Sequence, residues 1–156
     1  MPLLHTRHRL VRALFHAQAR LTRGLTLGVR GLVTDAEGRV LLIEHTYTPG
    51  WHMPGGGVER GESAEQALAR ELGEEAGVEI TGPVRLLSAH NNHARFRGDH
   101  VLVYRIQAWR PCPATSRGEI AQVGWFAPDA LPPGTTAPTR RRLAEALTGV
   151  NPDPDW

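Results

Sequence analysis

An α/β fold with a mixed sheet covered by helices is predicted from three features of the sequence. Apolar residues change spacing along the chain, with short runs and two-residue alternation giving way to three- and four-residue intervals. The element order this produces is β-β-α-β-β-β-α, with a further helix in front. No internal repeat and no long linker interrupts that order, and 156 residues suffice for one domain with a buried core.

The elements follow in chain order. Leu10, Val11, Leu14, Ala17 and Leu21 recur at helical spacing with arginines between them, so 7–23 is expected as an amphipathic helix that Gly24 ends. It forms an N-terminal helical extension, 1–24, that packs on the domain, makes a homodimer contact or lies on a membrane surface. A strand over 25–34 is anchored by Leu27, Val29, Leu32 and Val33. The turn Asp35-Ala36-Glu37-Gly38 then leads into a second strand over 39–45, built on Val40, Leu41, Leu42 and Ile43, and the two are expected to form a hairpin. Pro49 to Gly57 is a glycine- and proline-rich loop. A helix over 63–76 starts at Ser63, which forms a capping box with Gln66, and ends at Gly77. Residues 78–87 alternate loosely as a strand, and a loop flanked by Asn91-Asn92-His93 and Arg97-Gly98-Asp99 precedes a strand over 100–109. A short strand over 121–126 and a helix over 138–147, with Pro138 in its first turn and Gly149 after its end, complete a domain spanning 25–150. Residues 151–156 are expected as a flexible tail.

Composition narrows the function classes. Hydrophobic residues at 40% and charged residues at 22% fit a globular rather than a disordered chain. No apolar run is long enough to span a bilayer, and the N-terminus lacks the apolar core of a secretory signal, so no membrane association and a cytoplasmic location are expected. Cys112 is the single cysteine, which excludes an intramolecular disulfide and a cysteine-based zinc site. It lies between Pro111 and Pro113 with no activating pattern around it, and reads as an ordinary loop residue. The formal net charge is +2, carried by arginine without any lysine. That charge is too small and too spread out to argue for duplex nucleic acid; it reflects a solvated surface or draws in a polyanionic substrate.

The chemistry concentrates in 56–78. Glu71, Glu74 and Glu75 are spaced i, i+3, i+4 and so share one helix face. They repel one another, and they sit near the C-terminal end, where the macrodipole is already negative; each effect costs a few tenths to about 1 kcal/mol. Such a face is either simply solvated or holds a divalent cation, and hard oxygen donors suit Mg²⁺ or Mn²⁺. Arg70 stands beside Glu71 and can pair with Glu62, holding the acidic cluster in register. Gly55-Gly56-Gly57 lets the backbone approach a metal or phosphates closely, with a carbonyl as a further ligand.

This segment resembles the Nudix box, G-x5-E-x7-R-E-U-x-E-E-x-G-U with U aliphatic. Gly56, Glu62, Arg70, Glu71, Leu72, Glu74, Glu75, Gly77 and Val78 fill every fixed position. From average residue usage a chance match is rarer than about one in a million, which sets chance aside. The approach Trp51-His52-Met53-Pro54-Gly55-Gly56 and the stretch 119–132, with Val123, Trp125-Phe126 and Leu131-Pro132, are also similar to the family.

The resemblance implies a Nudix-type α/β/α sandwich and a metal-dependent hydrolase that cleaves a phosphoanhydride in a nucleoside diphosphate-linked or nucleoside triphosphate substrate. It implies Glu74 and Glu75 as metal ligands, Glu71 as ligand or general base, and the Gly55 carbonyl as a further ligand. Glu119 is the candidate for a downstream acidic residue that completes the site or acts as base. His45, His52, His90, His93 and His100 are runner-up bases. For the substrate, Trp51, Phe96, Tyr104 and Phe126 are candidates to stack on a base, while His52, His93, Arg95 and Arg97 are candidates for other contacts. The proline that marks ADP-ribose pyrophosphatases is absent, His93 standing in its place, and the signatures of NADH and coenzyme A pyrophosphatases are not found. Two other readings stand beside the nucleotide hydrolase. One is a catalytically silent nucleotide sensor, which the complete set of glutamates argues against. The other is removal of pyrophosphate from RNA 5′ ends, for which Arg140-Arg141-Arg142 and the N-terminal arginines offer a weak basic surface.

Overall fold

The structure, a computed structural model, describes residues 24–116 and 118–156. The expected helix over 7–23 lies outside the described residues. The strands are β1 (Thr26–Val33), β2 (Val40–His45), β3 (Trp51–His52), β4 (Val78–Ile80), β5 (Arg85–Asn91), β6 (Asp99–Ile106), β7 (Trp109–Pro111) and β8 (Ile120–Phe126). The helices are α1 (Ala64–Ala76) and α2 (Ala137–Thr148). Strand order is β1-β6-β5 in one sheet, β3-β2-β8 in a second and β4-β7 in a small third. The β1–β6 pairing is parallel and the others are antiparallel, so the architecture is mixed, as expected.

Two-residue alternation makes the layers. Val29, Val33, Leu41, Tyr104 and Ile106 point to one side, where they meet Ala67, Leu68 and Leu72 of α1. Leu32, Val40, Leu42 and Val103 point to the other, where they meet Met53 and Leu143 of α2. Neighbouring residues of β1 and β2 thus feed opposite cores, and the result is a helix–sheet–helix sandwich.

The expected hairpin does not form. β1 and β2 lie in different sheets, joined by one bridge between Thr34 and Val40. One edge of β1 is taken by β6. The other is taken by the glycine loop: Val29 N donates to Gly56 O (2.9 Å), Gly31 N to Pro54 O (2.9 Å) and Val58 N to Leu27 O (2.8 Å). With both edges of β1 occupied, β2 pairs with β8 instead. The strand expected over 78–87 is two strands, broken at Thr81-Gly82-Pro83. The one expected over 100–109 is likewise divided, because β7 turns away to pair with β4.

The segment 151–156, expected as a flexible tail, lies along β5. Asn91 N donates to Pro154 O (2.8 Å), and Trp156 N donates to Asn91 O (2.9 Å). The Trp156 ring packs edge-on against His90, with centroids 5.7 Å apart, and the Arg142 guanidinium sits over it. Arg142 is 2% exposed, so its charge needs partners; it donates to Glu145 Oε1 (2.7 Å) and to the Asp155 carbonyl (2.9 Å). A buried cation seeking acceptors is what ties the tail down.

α1 has the ends expected of it. Ser63 and Gln66 form the capping box, and Gly77 closes the helix at φ 64°, ψ 39°. A Cβ at position 77 would stand 2.7 Å from the Cys112 carbonyl oxygen. Gly77→Ala is therefore expected to lose the left-handed conformation's roughly 1–2 kcal/mol and more from the contact. Urea unfolding of the variant measures this, and an unchanged midpoint would contradict the capping geometry.

Candidate active site

α1 carries the acidic face and the glycine loop is laid against it. Glu75 is 7% exposed, and its Oε2 accepts a hydrogen bond from Gly55 N at 2.8 Å. Burial pushes its carboxyl up to about 7. The Gly55 N–H and the Arg30 charge oppose that rise, while Glu71 and Glu119 add to it. Oε1 of Glu75 faces His45 Nδ1 at 3.9 Å, beyond hydrogen-bond reach, and that buried nitrogen has no partner. Burial, with the Arg30 charge, holds His45 below the ordinary histidine range.

Arg70 binds the rest of the cluster together. It donates to Glu62 through Nη2 (2.8 Å) and Nε (3.3 Å), to Glu71 through Nη1 (2.8 Å) and to the Gly57 carbonyl through Nη2 (3.1 Å). Its Nη1 also lies 3.6 Å from Glu74 Oε2. The expected Arg70–Glu62 pair is present, and Arg70 lowers the Glu62 carboxyl while Glu62 raises the guanidinium. Gly56 is the close-approach residue of the loop: a Cβ there would collide with the Glu71 carboxyl. Gly55 has φ 136°, and a Cβ there would collide with the Val29 carbonyl oxygen. Glu119 stands exposed at the start of β8, where its charge acts on Glu75, His45 and Tyr47.

The donor set suits a hard divalent cation. It consists of carboxylate oxygens, one buried at a cost that a cation would relieve, and a glycine carbonyl. As arranged, no three acidic, histidine or cysteine side chains among the described residues converge on one point. Glu71 and Glu74 face Arg70, and the Gly55 carbonyl accepts from Arg30 Nη1 at 2.6 Å. The candidate ligands thus neighbour one another along α1 and the glycine loop without converging, and the arginines hold oxygens that a metal would share.

A cleft of about 540 Å³ opens beside this cluster. Of the residues expected at the substrate, His52, Arg95, Arg97 and Phe96 line it. Trp51 does not: it packs against Phe126 at 4.8 Å and joins the α2-side core. Nor does His93, whose Nδ1 accepts from Gly98 N (3.4 Å) and braces the loop ahead of β6. Tyr104 is buried in the α1-side core, and Phe126, partly buried, packs against the other. His90 is buried under the tail, donating to or accepting from Ser88 Oγ at 2.7 Å. Sequence reasoning missed Arg30, Tyr47 and Trp156, which line the cleft. Arg30 had a signal, since it is a charge inside a strand whose neighbours Val29 and Leu32 are both buried. Trp156 had none, because only the fold brings it to the cleft.

The chain matches the NUDIX domain over residues 24–147. It is 32% identical over 127 residues to a MutT-like protein of Streptomyces ambofaciens, covering 81% of this chain and 80% of that one. It is 35% identical over 82 residues to an RNA pyrophosphohydrolase of Erwinia tasmaniensis, covering 53% of this chain and only 44% of that protein. The crystal structure of a MutT NUDIX hydrolase from Burkholderia pseudomallei superposes with a TM-score of 0.67 at 30% identity, covering 78% of this chain and 97% of that one. A complete box folded as α1 against its glycine loop, and a match running through nearly all of the described domain, establish that the chain belongs to the NUDIX family and is a pyrophosphohydrolase of that family.

Proposed function

We propose that this chain hydrolyses a phosphoanhydride bond in a nucleoside triphosphate or nucleoside diphosphate-linked compound, with Mg²⁺ or Mn²⁺ held by Glu74, Glu75, Glu71 and the Gly55 carbonyl. The observation that carries the reading is the buried Glu75 carboxyl, pinned by Gly55 N–H beside a cleft lined with arginines. Held there, such an ion would neutralise charge on phosphate oxygens and lower the pKa of a water. Glu119 or Glu71 accepts the proton of the attacking water as its oxygen bonds to phosphorus in line with the departing phosphate. Arg70 keeps Glu71 and Glu62 in place, and Arg95 and Arg97 meet the phosphate chain. Cys112 without a partner fits a reducing, cytoplasmic setting. A second reading is removal of pyrophosphate from RNA 5′ ends. It is favoured by the several relatives named RNA pyrophosphohydrolase, and the exposed Arg95 and Arg97 could continue onto an RNA backbone.

Release of phosphate or pyrophosphate from a panel, with and without Mg²⁺ or Mn²⁺, tests the reading. The panel holds nucleoside triphosphates, ADP-ribose, nucleotide sugars, dinucleoside polyphosphates and 5′-triphosphate RNA. Metal-dependent turnover of one class is expected; binding without turnover would indicate a sensor.

Glu74→Gln keeps volume and removes a ligand charge, so turnover is expected to fall about 100-fold or more with the melting temperature unchanged. Near-normal rates with Mg²⁺ would overturn that ligand assignment. Arg70→Ala strands Glu62 and Glu71 and is expected to be both slower and less stable, by about 1–3 kcal/mol in chemical unfolding. A stable, fully active variant would remove Arg70 from the machinery.

The pH dependence has a definite sign. Glu75 is raised from 4.5 to about 7, so the folded protein favours its protonated form. That stability is full below about pH 4.5 and is lost as pH rises through about 7. Metal-free protein is expected to melt lower at pH 8 than at pH 5.5, with Mg²⁺ restoring the loss and Glu75→Gln flattening the slope. A slope that survives Glu75→Gln would place its origin elsewhere.

A further inference from the structure

A second cavity, of about 370 Å³, lies on the α2 face of the sheet and is within the size range of small-molecule sites. It shares no lining residue with the cleft beside the box helix. Buried Arg142 stands between the two: it lines this cavity, while Trp156, whose ring its guanidinium covers, lines the cleft. Leu87 of β5 and Val103 of β6 give the cavity an apolar floor, and Ala146 and Val150, at the end of α2, wall it.

Arg85 and Arg105 stand opposite each other across the antiparallel β5–β6 pair, and both line the cavity. Directly opposed residues rise side by side from one face of a sheet, so like charges there repel. Arg105 donates through Nη2 to the Ala146 carbonyl (2.6 Å), which leaves its Nε and Nη1 for another acceptor. Arg85 is exposed and pairs with no carboxylate among the described residues. Glu145 also lines the cavity, but its Oε1 accepts from Arg142 Nη2 (2.7 Å) and Asp153 N (3.0 Å), so the buried Arg142 already matches its charge. The last carbonyls of α2 are engaged too, Glu145 O by Gly149 N (3.0 Å) and Ala144 O by Thr148 Oγ1 (2.7 Å). The fold therefore brings two cations together over an apolar floor and supplies neither with a counter-charge.

An anion that both guanidinium groups can grip at once meets this requirement. A dianionic phosphate group balances two cations, and its tetrahedral oxygens accept from two forks together, whereas a single carboxylate balances only one. We propose that Arg85 and Arg105 bind a dianionic phosphate group, free or carried on a small molecule, at a site outside the cleft. The organic part of a phosphate ester lies against Leu87, Val103 and Val150. No residue of the box takes part, so the site stands or falls independently of the hydrolase reading.

The test is titration of the isotope-labelled full chain with inorganic phosphate, ribose 5-phosphate and ribose, read by backbone amide shifts at an ionic strength held constant with chloride. Saturating shifts at 85–88, 103–106 and 145–150 are expected with both phosphates and not with ribose or chloride. Arg85→Gln is expected to weaken that binding about tenfold or more, as the loss of a charged donor does. Equal affinity for the two phosphates supports the site with the free anion as a sufficient ligand. Tighter binding of the ester supports it with the organic part on the apolar floor. Shifts confined to cleft residues such as Arg95 and Phe96, or shifts at 85–88 that survive both Arg85→Gln and Arg105→Gln, overturn the site. So does a stronger response of the same residues to single-stranded RNA without a terminal phosphate, which would make the pair a contact for a nucleic-acid backbone. Arg85 is exposed, so Arg85→Gln decides the matter even if Arg105→Gln, which removes the tie to Ala146, does not fold.

Discussion

The edge of β1 that receives the glycine loop is the constraint on which the site depends. Three backbone hydrogen bonds between 27–31 and 54–58 fix that loop against the strand. They set Gly55 N–H in front of Glu75 and Gly56 under the Glu71 carboxyl. They also bring the Met53 and Gly55 carbonyls to Arg30. A loop of this composition has little reason to hold one shape by itself, because its glycines carry large conformational freedom. The strand edge supplies the missing definition and leaves β2 to find β8. The same pairing therefore decides the topology and the placement of the reactive groups.

Against that fixed loop, α1 presents a face that its own electrostatics disfavour. No basic residue stands in its last turn, and Glu74 and Glu75 lie where the helix dipole is negative. Arg70 offsets part of this from one turn earlier by pairing with Glu62 and Glu71, and Gly55 N–H stabilises Glu75. What remains unbalanced is the buried Glu75 carboxyl, with Glu71 and Glu119 pressing on it. The imbalance is local and lies on α1 behind His45, a residue that lines the cleft, and a buried carboxyl raised by its neighbours marks a candidate functional site rather than a merely solvated acidic surface.

The helix, its caps and its carboxylates were legible because their signals are local. Ser63 with Gln66, Gly77, and the spacing of Glu71, Glu74 and Glu75 are all set within one or two turns. The Arg70–Glu62 pair was legible for the same reason, with only eight residues separating the two. What the sequence concealed was long-range pairing. β1 and β2 are adjacent in the chain and carry a good turn, yet each has a better partner elsewhere, in β6 and β8. Trp51 was misplaced because an aromatic next to a glycine loop looks the same whether it faces a cleft or, as here, Phe126. The tail was misjudged because its anchor, the buried Arg142, lies on another element and declares itself only through burial.

The cleft itself is polarised by the two halves of the fold. β1 and the loop ahead of β6 bring Arg30 and Arg95 into its lining, while the box-helix carboxylates lie outside that lining, Glu75 facing the lining residue His45 at 3.9 Å. Arg30 feels the Glu75 and Glu71 charges without forming an ion pair with either, unlike Arg70 with Glu62. Arg30 donates to the Met53 and Gly55 carbonyls, and Glu75 accepts from the Gly55 N–H, so the two are tied to the same loop without pairing with each other. Separation of this kind has an energetic cost in the empty protein. It is recovered when a ligand presents anionic oxygens to one side and shares a cation with the other, and a metal-bound polyphosphate has both properties in one molecule. Trp156, held by the α2 arginine, bounds the same space, so an element outside the box contributes to the shape of what the site admits.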